Sequence, residues 1–462
     1  MRFIGRDFEL NELNKEYKQD KFSFSVIYGR RRVGKTYLIK EFLKGKEGYY
    51  FVSLESNELI NLSLISQAIY KACGNISGLP DFNSFDSAFK FLFEYSVKNK
   101  IIFVIDEYPY LADSSPYISS LIQNLIDQYK EKSKMFLILC GSSMSFMEEQ
   151  VLGYKSPLYG RRTSQYKIQP FNYLESSEFV PNYSYKKKAI VYGLTNGIAE
   201  YLTYFDNDKS LKDNIIDIFL KTNGRLYEET TNLLKQELRQ PKTYNDIIFA
   251  ISQGSTKLNE IATKLGVASG SLNHYLKSLI ELGIIEKKTP VLDRKTKRPL
   301  YIIKDTMFLF WYLFVQPNLN MINLDLGEKV YDNYVDCAIN EFMGKIFEKI
   351  SIEYFEEKLK RSETPFIPKD YGNWWGNDKR LKKESEIDMI AYDKENSYLF
   401  LEAKWRNELV NQKVLDNLIE KSLNFSFSSA SYWITSLSGF NDVHSSKDIK
   451  LISLEEMYKL SN

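Results

Sequence analysis

Two groups of residues have the types and spacing for phosphate chemistry. Near the N-terminus, Gly29-Arg30-Arg31-Arg32-Val33-Gly34-Lys35-Thr36 reads G-x-x-x-x-G-K-T. Its glycines let the backbone curl until N–H groups face a phosphate chain. Lys35 then meets the β- and γ-phosphates, and Thr36 offers a hydroxyl to Mg²⁺. Downstream, the apolar run IIFVI ends in Asp106-Glu107. Asp106 is a candidate to hold Mg²⁺ through water, and Glu107 to orient and polarise an attacking water. Near the other end, Asp388 precedes a turn and then Glu402-Ala403-Lys404. Two carboxylates of this kind can bind Mg²⁺, while a lysine stabilises a charged phosphate or helps deprotonate water.

These residues need elements to present them. Strand-like runs at 22–28, 48–54, 100–105, 135–140 and 164–168 alternate with helical patterns, which predicts an α/β fold with a parallel sheet covered by helices. The glycine loop sits between the first strand and a helical pattern at 37–43, where a helix N-terminus favours anions. The acidic pair falls at a strand's C-terminal end, where open α/β sheets bind ligands. The run 135–140 leads into Gly141-Ser142-Ser143. Either serine could reach the γ-phosphate or the lytic water, or serve as a helix N-cap. Arg161 or Arg162, ahead of the fifth strand, could stabilise the charge on a neighbouring subunit's nucleotide, which requires a homo-oligomer. A structural ion pair is the alternative for either.

At the C-terminal end, 385–392 and 397–405 read as two strands joined by a turn. Residues i and i+2 of a strand share a face, so Glu402 and Lys404 point the same way, and the hairpin brings Asp388 beside them. This order is the PD-(D/E)xK nuclease pattern. Glu348, on an upstream helical segment, could complete the metal site. The same fold used only for binding, or a surface ion-pair cluster, remains the alternative.

Between these regions, 244–253, 258–265 and 268–282 read as three helices, with Gly266 at a turn. Strands at 284–288 and 300–303 follow, joined by Leu292-Asp293-Arg294-Lys295-Thr296-Lys297-Arg298. This is a winged helix-turn-helix pattern. Residues 242–298 hold ten Lys and Arg against five Asp and Glu. A basic wing can hold phosphates while Ser269, Ser271, Asn273, His274 and Lys277 face double-stranded DNA. Winged helices also dock proteins, and that reading stays open.

The bulk properties exclude other classes. With 462 residues, 44% hydrophobic and 26% charged, the chain supports two to four domains. Cys73, Cys140 and Cys337 are far apart and form no pair motif, as expected of a reduced, cytoplasmic protein. Two histidines, His274 and His444, exclude a His-rich metal site. The N-terminus lacks a signal-peptide apolar core. The longest apolar run, at 307–315, is too short to span a membrane and predicts a buried helix.

Taken together, the chain resembles an archaeal-type ATPase of the P-loop AAA+/STAND group with a C-terminal domain of uncharacterised function. The resemblance rests on Phe3-Ile4-Gly5-Arg6-Asp7-x-Glu9-Leu10, the arginine-rich glycine loop, Ile105-Asp106-Glu107, Leu139-Cys140-Gly141-Ser142-Ser143, Leu158-Tyr159-Gly160-Arg161-Arg162-Thr163 and Pro170-Phe171. Asn196 to Leu202 resembles a G-G-x-P-x-Y-L segment, with Asn196 for the first glycine and Ala199 for the proline. Farther on, Phe342 to Glu348, Trp374-Trp375-Gly376 and Glu386-Ile387-Asp388 resemble the family's C-terminal domain. The resemblance implies ATP and Mg²⁺ as cofactors, Arg6 near the adenine, a helical lid at 171–235, and a restriction-endonuclease-like fold. The expected layout is therefore a P-loop ATPase core at 1–170, the lid, a winged helix at 236–305, and the nuclease-like domain at 306–462. The expected function is ATP hydrolysis coupled to DNA binding, with Mg²⁺-dependent cleavage or a nucleotide-gated scaffold as the two readings of the C-terminal domain.

Overall fold

The structure, a computed structural model, describes residues 3–74, 78–296, 299–378, 380 and 382–460. Lys297 and Arg298 of the basic loop lie outside the described residues. The chain divides into two compact units. One runs to Pro170 and includes Ile198–Glu200, and the other takes Phe171–Gly197 and Tyr201 onward.

The first unit is built on a five-stranded sheet of order β2-β3-β4-β1-β5, from β1 (Ser23–Tyr28), β2 (Gly48–Val52), β3 (Ile101–Asp106), β4 (Met135–Gly141) and β5 (Ser164–Lys167). All its pairings are parallel. β1, β3 and β4 are buried along their whole length; β3 and β4 read accordingly as continuous apolar runs, whereas β1 alternates through Ser23 and Ser25. Helix α1 (Asp7–Lys18) precedes β1; parallel neighbours need crossovers, and helices supply them: α2 (Lys35–Leu43), α3 (Glu58–Ala72), α4 (Phe85–Lys98), α5 (Tyr108–Ser114) and α6 (Ile118–Tyr129). In α6, Ile118, Leu121, Ile122, Leu125 and Ile126 are buried, a helical stripe that faces the sheet. The parallel order puts the ends of β1, β3 and β4 side by side. Those ends carry the glycine loop, Asp106-Glu107 and Gly141-Ser142.

The second unit contains α7 (Tyr185–Thr195), α8 (Leu211–Phe219) and α9 (Glu229–Glu237), then a winged helix. The winged helix comprises α10 (Pro241–Ser252), α11 (Leu258–Leu265), α12 (Asn273–Glu281) and the antiparallel strands β6 (Ile285–Lys288) and β7 (Leu300–Ile303). The expected single helix from 268 is broken into a 3₁₀ turn, Ser269–Leu272, followed by α12. The Ser271 hydroxyl donates to Ala268 O at 2.7 Å, and such a local bond competes with helix continuation. The apolar run at 307–315 is buried, as helix Thr306–Phe310 and a π turn Trp311–Val315. Among the described residues no helix is long and apolar enough to cross a membrane.

The long helix α13 (Asp336–Lys360) precedes a second five-stranded sheet of order β12-β11-β10-β9-β8. Its strands are β8 (Asp370–Asp378), β9 (Lys383–Tyr392), β10 (Ser397–Lys404), β11 (Ser429–Ser436) and β12 (Ile449–Ser453). β8, β9 and β10 run antiparallel, while β10, β11 and β12 are parallel. Helix α14 (Gln412–Ser422) makes the β10–β11 crossover. Ile387, Ile390, Phe400, Leu415, Leu418 and Ile434 form one buried cluster between this sheet and α14.

Candidate functional site

The glycine loop leaves β1 with backbone shapes that need its glycines. Gly29 has φ 156°, and a Cβ there would lie 2.4 Å from Ile168 O. Gly34 has φ 98° and precedes α2. Arg32 and Glu107 adopt left-handed φ of 69° and 49°, conformations costing about 1–3 kcal/mol each in non-glycine residues and concentrated at functional sites.

Lys35 is buried and donates to Gly29 O at 2.8 Å and Arg30 O at 2.9 Å. Burial pulls its ammonium below the usual lysine range, against the pull of the anionic groups around it. Thr36 Oγ1 lies 3.3 Å from Asp106 Oδ2. This oxygen-only pair suits Mg²⁺, which keeps several waters and takes few protein ligands. Tyr50, on β2, donates its hydroxyl to the same Asp106 oxygen and lies 3.3 Å from Thr36 Oγ1. Burial first, then Asp106, raises the Tyr50 phenol far above its usual range, so it stays a donor. Glu107 receives the Ser142 hydroxyl at 3.0 and 2.9 Å and the Ser142 N–H at 3.3 Å.

The loop's arginines are committed to the protein in different ways. Arg31 donates to the Tyr110 hydroxyl at 3.0 Å, and Arg32 pairs with Glu200 at 3.5 Å. Arg30 is half-buried and Val33 buried. Arg6 is buried and donates to Val33 O at 3.2 Å and to Gln169 O, so its guanidinium braces the loop's backbone. Arg161 makes a bidentate pair with Asp127, with nitrogen–oxygen distances down to 2.7 Å. One terminal nitrogen of Arg162 is buried without a hydrogen-bond partner.

In the winged helix, Ser271, Asn273, His274 and Lys277 are exposed and Ser269 half-buried, while Leu272, Leu276 and Leu279 are buried. The loop after β6 departs from a freely solvated wing. Val291 N donates to Asn373 O at 3.0 Å, and the buried Val291 side chain joins the cluster of Trp374, Ile387 and Val410. Arg294 grips both Asp370 oxygens at 2.8 Å and donates to Tyr371 O at 2.8 Å. The apolar Val291-Leu292 step drives this docking, and Arg294 is spent on β8 rather than held out for phosphates.

The second acidic group lies at the centre of the C-terminal sheet. The Asp388 carboxylate accepts from Ala403 N at 2.7 Å, so the hairpin brings Asp388 against the Glu402–Lys404 strand. Burial, then Glu402 and Glu348, push the Asp388 carboxyl up to about 8. Glu348 on α13 is raised by its own burial, with Glu386 and Glu402 adding and Lys288 and Lys345 opposing. Lys404 donates to Glu402 at 2.6 Å. Burial tends to lower its ammonium, but Glu402 overrides this and holds it above the usual range. Lys421, from α14, reaches both Glu402 oxygens at 3.4 and 3.2 Å. The donor chemistry, carboxylates only, fits a hard divalent cation. Among the described residues no three such side chains already form a ligand set. Tyr50 and Lys421 are contributors without a sequence signal, since neither belongs to a local motif.

Residues 3–205 match an ATPase domain predominantly from Archaea, and residues 242–287 match the bacterial regulatory protein arsR family. Residues 311–415 match a family described as "Archaea bacterial proteins of unknown function". An uncharacterized protein of Methanocaldococcus jannaschii is 34% identical over 414 residues, covering 88% of each chain. The chain belongs to the archaeal-type P-loop ATPase family. An uncharacterized ATP-binding protein of the same organism is 47% identical over 45 residues, 10% of this chain and 76% of the relative. Among solved structures, the Walker-type ATPase of Pyrococcus abyssi matches with a TM-score of 0.53 and 19% identity, over 67% of this chain and 96% of that one. That likeness is one of fold. This family member therefore combines an ATPase domain, an arsR-type helix-turn-helix and the C-terminal mixed sheet.

Proposed function

We propose that the protein binds and hydrolyses ATP and uses its nucleotide state to control contact with double-stranded DNA. The observation that carries this reading is the convergence at the ends of β1, β3 and β4. There Thr36 lies 3.3 Å from Asp106, and Ser142 holds Glu107. Lys35 would exchange its carbonyl partners for the β- and γ-phosphates. Thr36 and Asp106 would hold Mg²⁺, which neutralises charge on the phosphate oxygens. Glu107 would orient the attacking water and accept its proton. The segment Ile198–Glu200 lies on the glycine loop through Glu200 and Arg32, while the residues on either side of it belong to the second unit. A change at the loop therefore has a covalent route onward.

On the DNA side, α12 presents Asn273, His274 and Lys277, and the reading assigns contact to this helix rather than to Arg294. Asp388, Glu402 and Glu348 would hold a divalent cation, and Lys404 would stabilise a phosphodiester's charge, making the C-terminal domain a Mg²⁺-dependent nuclease. A scaffold reading draws on a specific observation, the engagement of Glu402 by two lysines.

The experiment is a comparison of wild type with Lys35→Ala. Loss of a charge-assisted contact to phosphate, on the order of 1.5–3 kcal/mol, should weaken ATP binding by about 10- to 100-fold. Unchanged affinity would contradict the reading. Cleavage is tested separately: wild type with Mg²⁺ should nick DNA, and Lys404→Ala should abolish nicking while sparing ATP hydrolysis.

A further inference from the structure

Glu402 carries more positive charge than one catalytic lysine supplies. Lys404 comes from the same strand face at 2.6 Å, and Lys421 arrives from a different element, α14, at 3.2 Å. The carboxylate is withdrawn, at 10% exposure, whereas the two lysine side chains keep 30% and 27%. The site is thus layered. Glu402 is the withdrawn carboxylate, Asp388 lies against the same strand through Ala403 N, and two ammonium groups stand nearer to solvent. A second cation at the rim matches a ligand that is itself layered, a divalent cation below a phosphodiester.

We propose that Lys421 is a positioning residue of this site: it neutralises Glu402 until a divalent cation does so, and then turns its ammonium to a phosphate of the nucleic-acid backbone. This inference rests on the metal-binding reading of Asp388 and Glu402. Its physical basis is competition. Lys421 and the metal share one carboxylate, so the lysine's charge opposes metal entry. Once the metal holds Glu402, the Lys421 chain has the length and exposure to reach an incoming phosphate.

The test uses the full-length, metal-free protein, titrated with Mn²⁺ by calorimetry, and a short DNA duplex followed by fluorescence anisotropy with Ca²⁺ present. Lys421→Met should bind Mn²⁺ about 10-fold more tightly and the duplex about 10-fold more weakly. Lys421→Arg should restore duplex binding. Lys421→Gln serves as a second neutral variant, with thermal unfolding of each confirming the fold. Mn²⁺ affinity that is unchanged or weaker in both neutral variants overturns the role of Lys421. If wild type binds Mn²⁺ and Asp388→Asn does not, the metal reading stands whatever Lys421 does. Wild type that takes up no Mn²⁺ rejects both.

Discussion

The Ser142 hydroxyl lies 3.0 and 2.9 Å from the two carboxylate oxygens of Glu107. Glu107 sits in left-handed backbone at the start of α5, and Ser142 follows the neighbouring strand β4. The serine's hydroxyl and N–H therefore hold the carboxylate's direction from the neighbouring strand. Removing the carboxylate's charge and removing its orienter should have different effects. Glu107→Gln should bind ATP normally and lose about 10²- to 10⁴-fold in kcat. Ser142→Ala should retain ATP affinity and lose about 10-fold in kcat, since the base is present but less well aimed. Single-turnover hydrolysis and ATP titration measure both. Wild-type kcat in Ser142→Ala would reject the orienting role.

Tyr50 meets the two groups proposed to hold Mg²⁺. Its hydroxyl donates to Asp106 and lies 3.3 Å from Thr36 Oγ1. A neutral donor on a metal-ligating carboxylate must be displaced or rearranged when the cation binds. Tyr50→Phe should therefore lower the Mg²⁺ concentration for half-maximal ATP hydrolysis by about 3- to 10-fold, in line with the ~1 kcal/mol net worth of one hydrogen bond. An unchanged or higher Mg²⁺ requirement would show that the hydroxyl does not compete.

The docking of the wing loop distinguishes cations available to DNA from those already used. Lys277 is exposed on α12, with a 3.4 Å pair to Glu281, a surface contact worth well under 1 kcal/mol. Arg294 is held by both oxygens of Asp370. Lys277→Ala should weaken duplex binding and reduce the slope of log affinity against log salt by about 1. Arg294→Ala should leave that slope unchanged, and it should loosen β8, seen as faster hydrogen exchange at Asn373 and its neighbours. Equal loss of slope in both variants would mean that the loop undocks to bind DNA.

The α/β core and the helix-turn-helix were legible in the sequence because their signals are local. The glycine loop is contiguous, β1 alternates, β3 and β4 are unbroken apolar runs, and Gly266 marks the turn between α11 and α12. What was not legible depends on which strands become neighbours. Tyr50 reaches Asp106 only because β2 pairs with β3. Lys421 reaches Glu402 only because α14 crosses between β10 and β11. The use of Arg294 was hidden for the same reason: its partner Asp370 lies 76 residues away in the sequence.

Asp388 makes the C-terminal site pH-sensitive with a defined sign. Its carboxyl is raised from 3.8 to about 8, first by burial and then by Glu402 and Glu348. A carboxyl raised on folding favours the folded state most where it is protonated. Its contribution is complete below the ordinary aspartate range and is lost as pH climbs toward the folded value. Between about pH 4 and 8, metal-free wild type should therefore lose stability relative to Asp388→Asn, by at most about 1.4 kcal/mol per pH unit. The amide keeps an oxygen to accept from Ala403 N and carries no charge to bury. Metal binding moves the other way, because the cation must displace that proton, so Mn²⁺ affinity should rise up to about 10-fold per pH unit across the same window. Thermal unfolding and Mn²⁺ titration at about pH 5.5, 6.5, 7.5 and 8.5 measure both trends. A stability gap that stays flat, with Mn²⁺ affinity independent of pH, would place the Asp388 proton outside the site's chemistry.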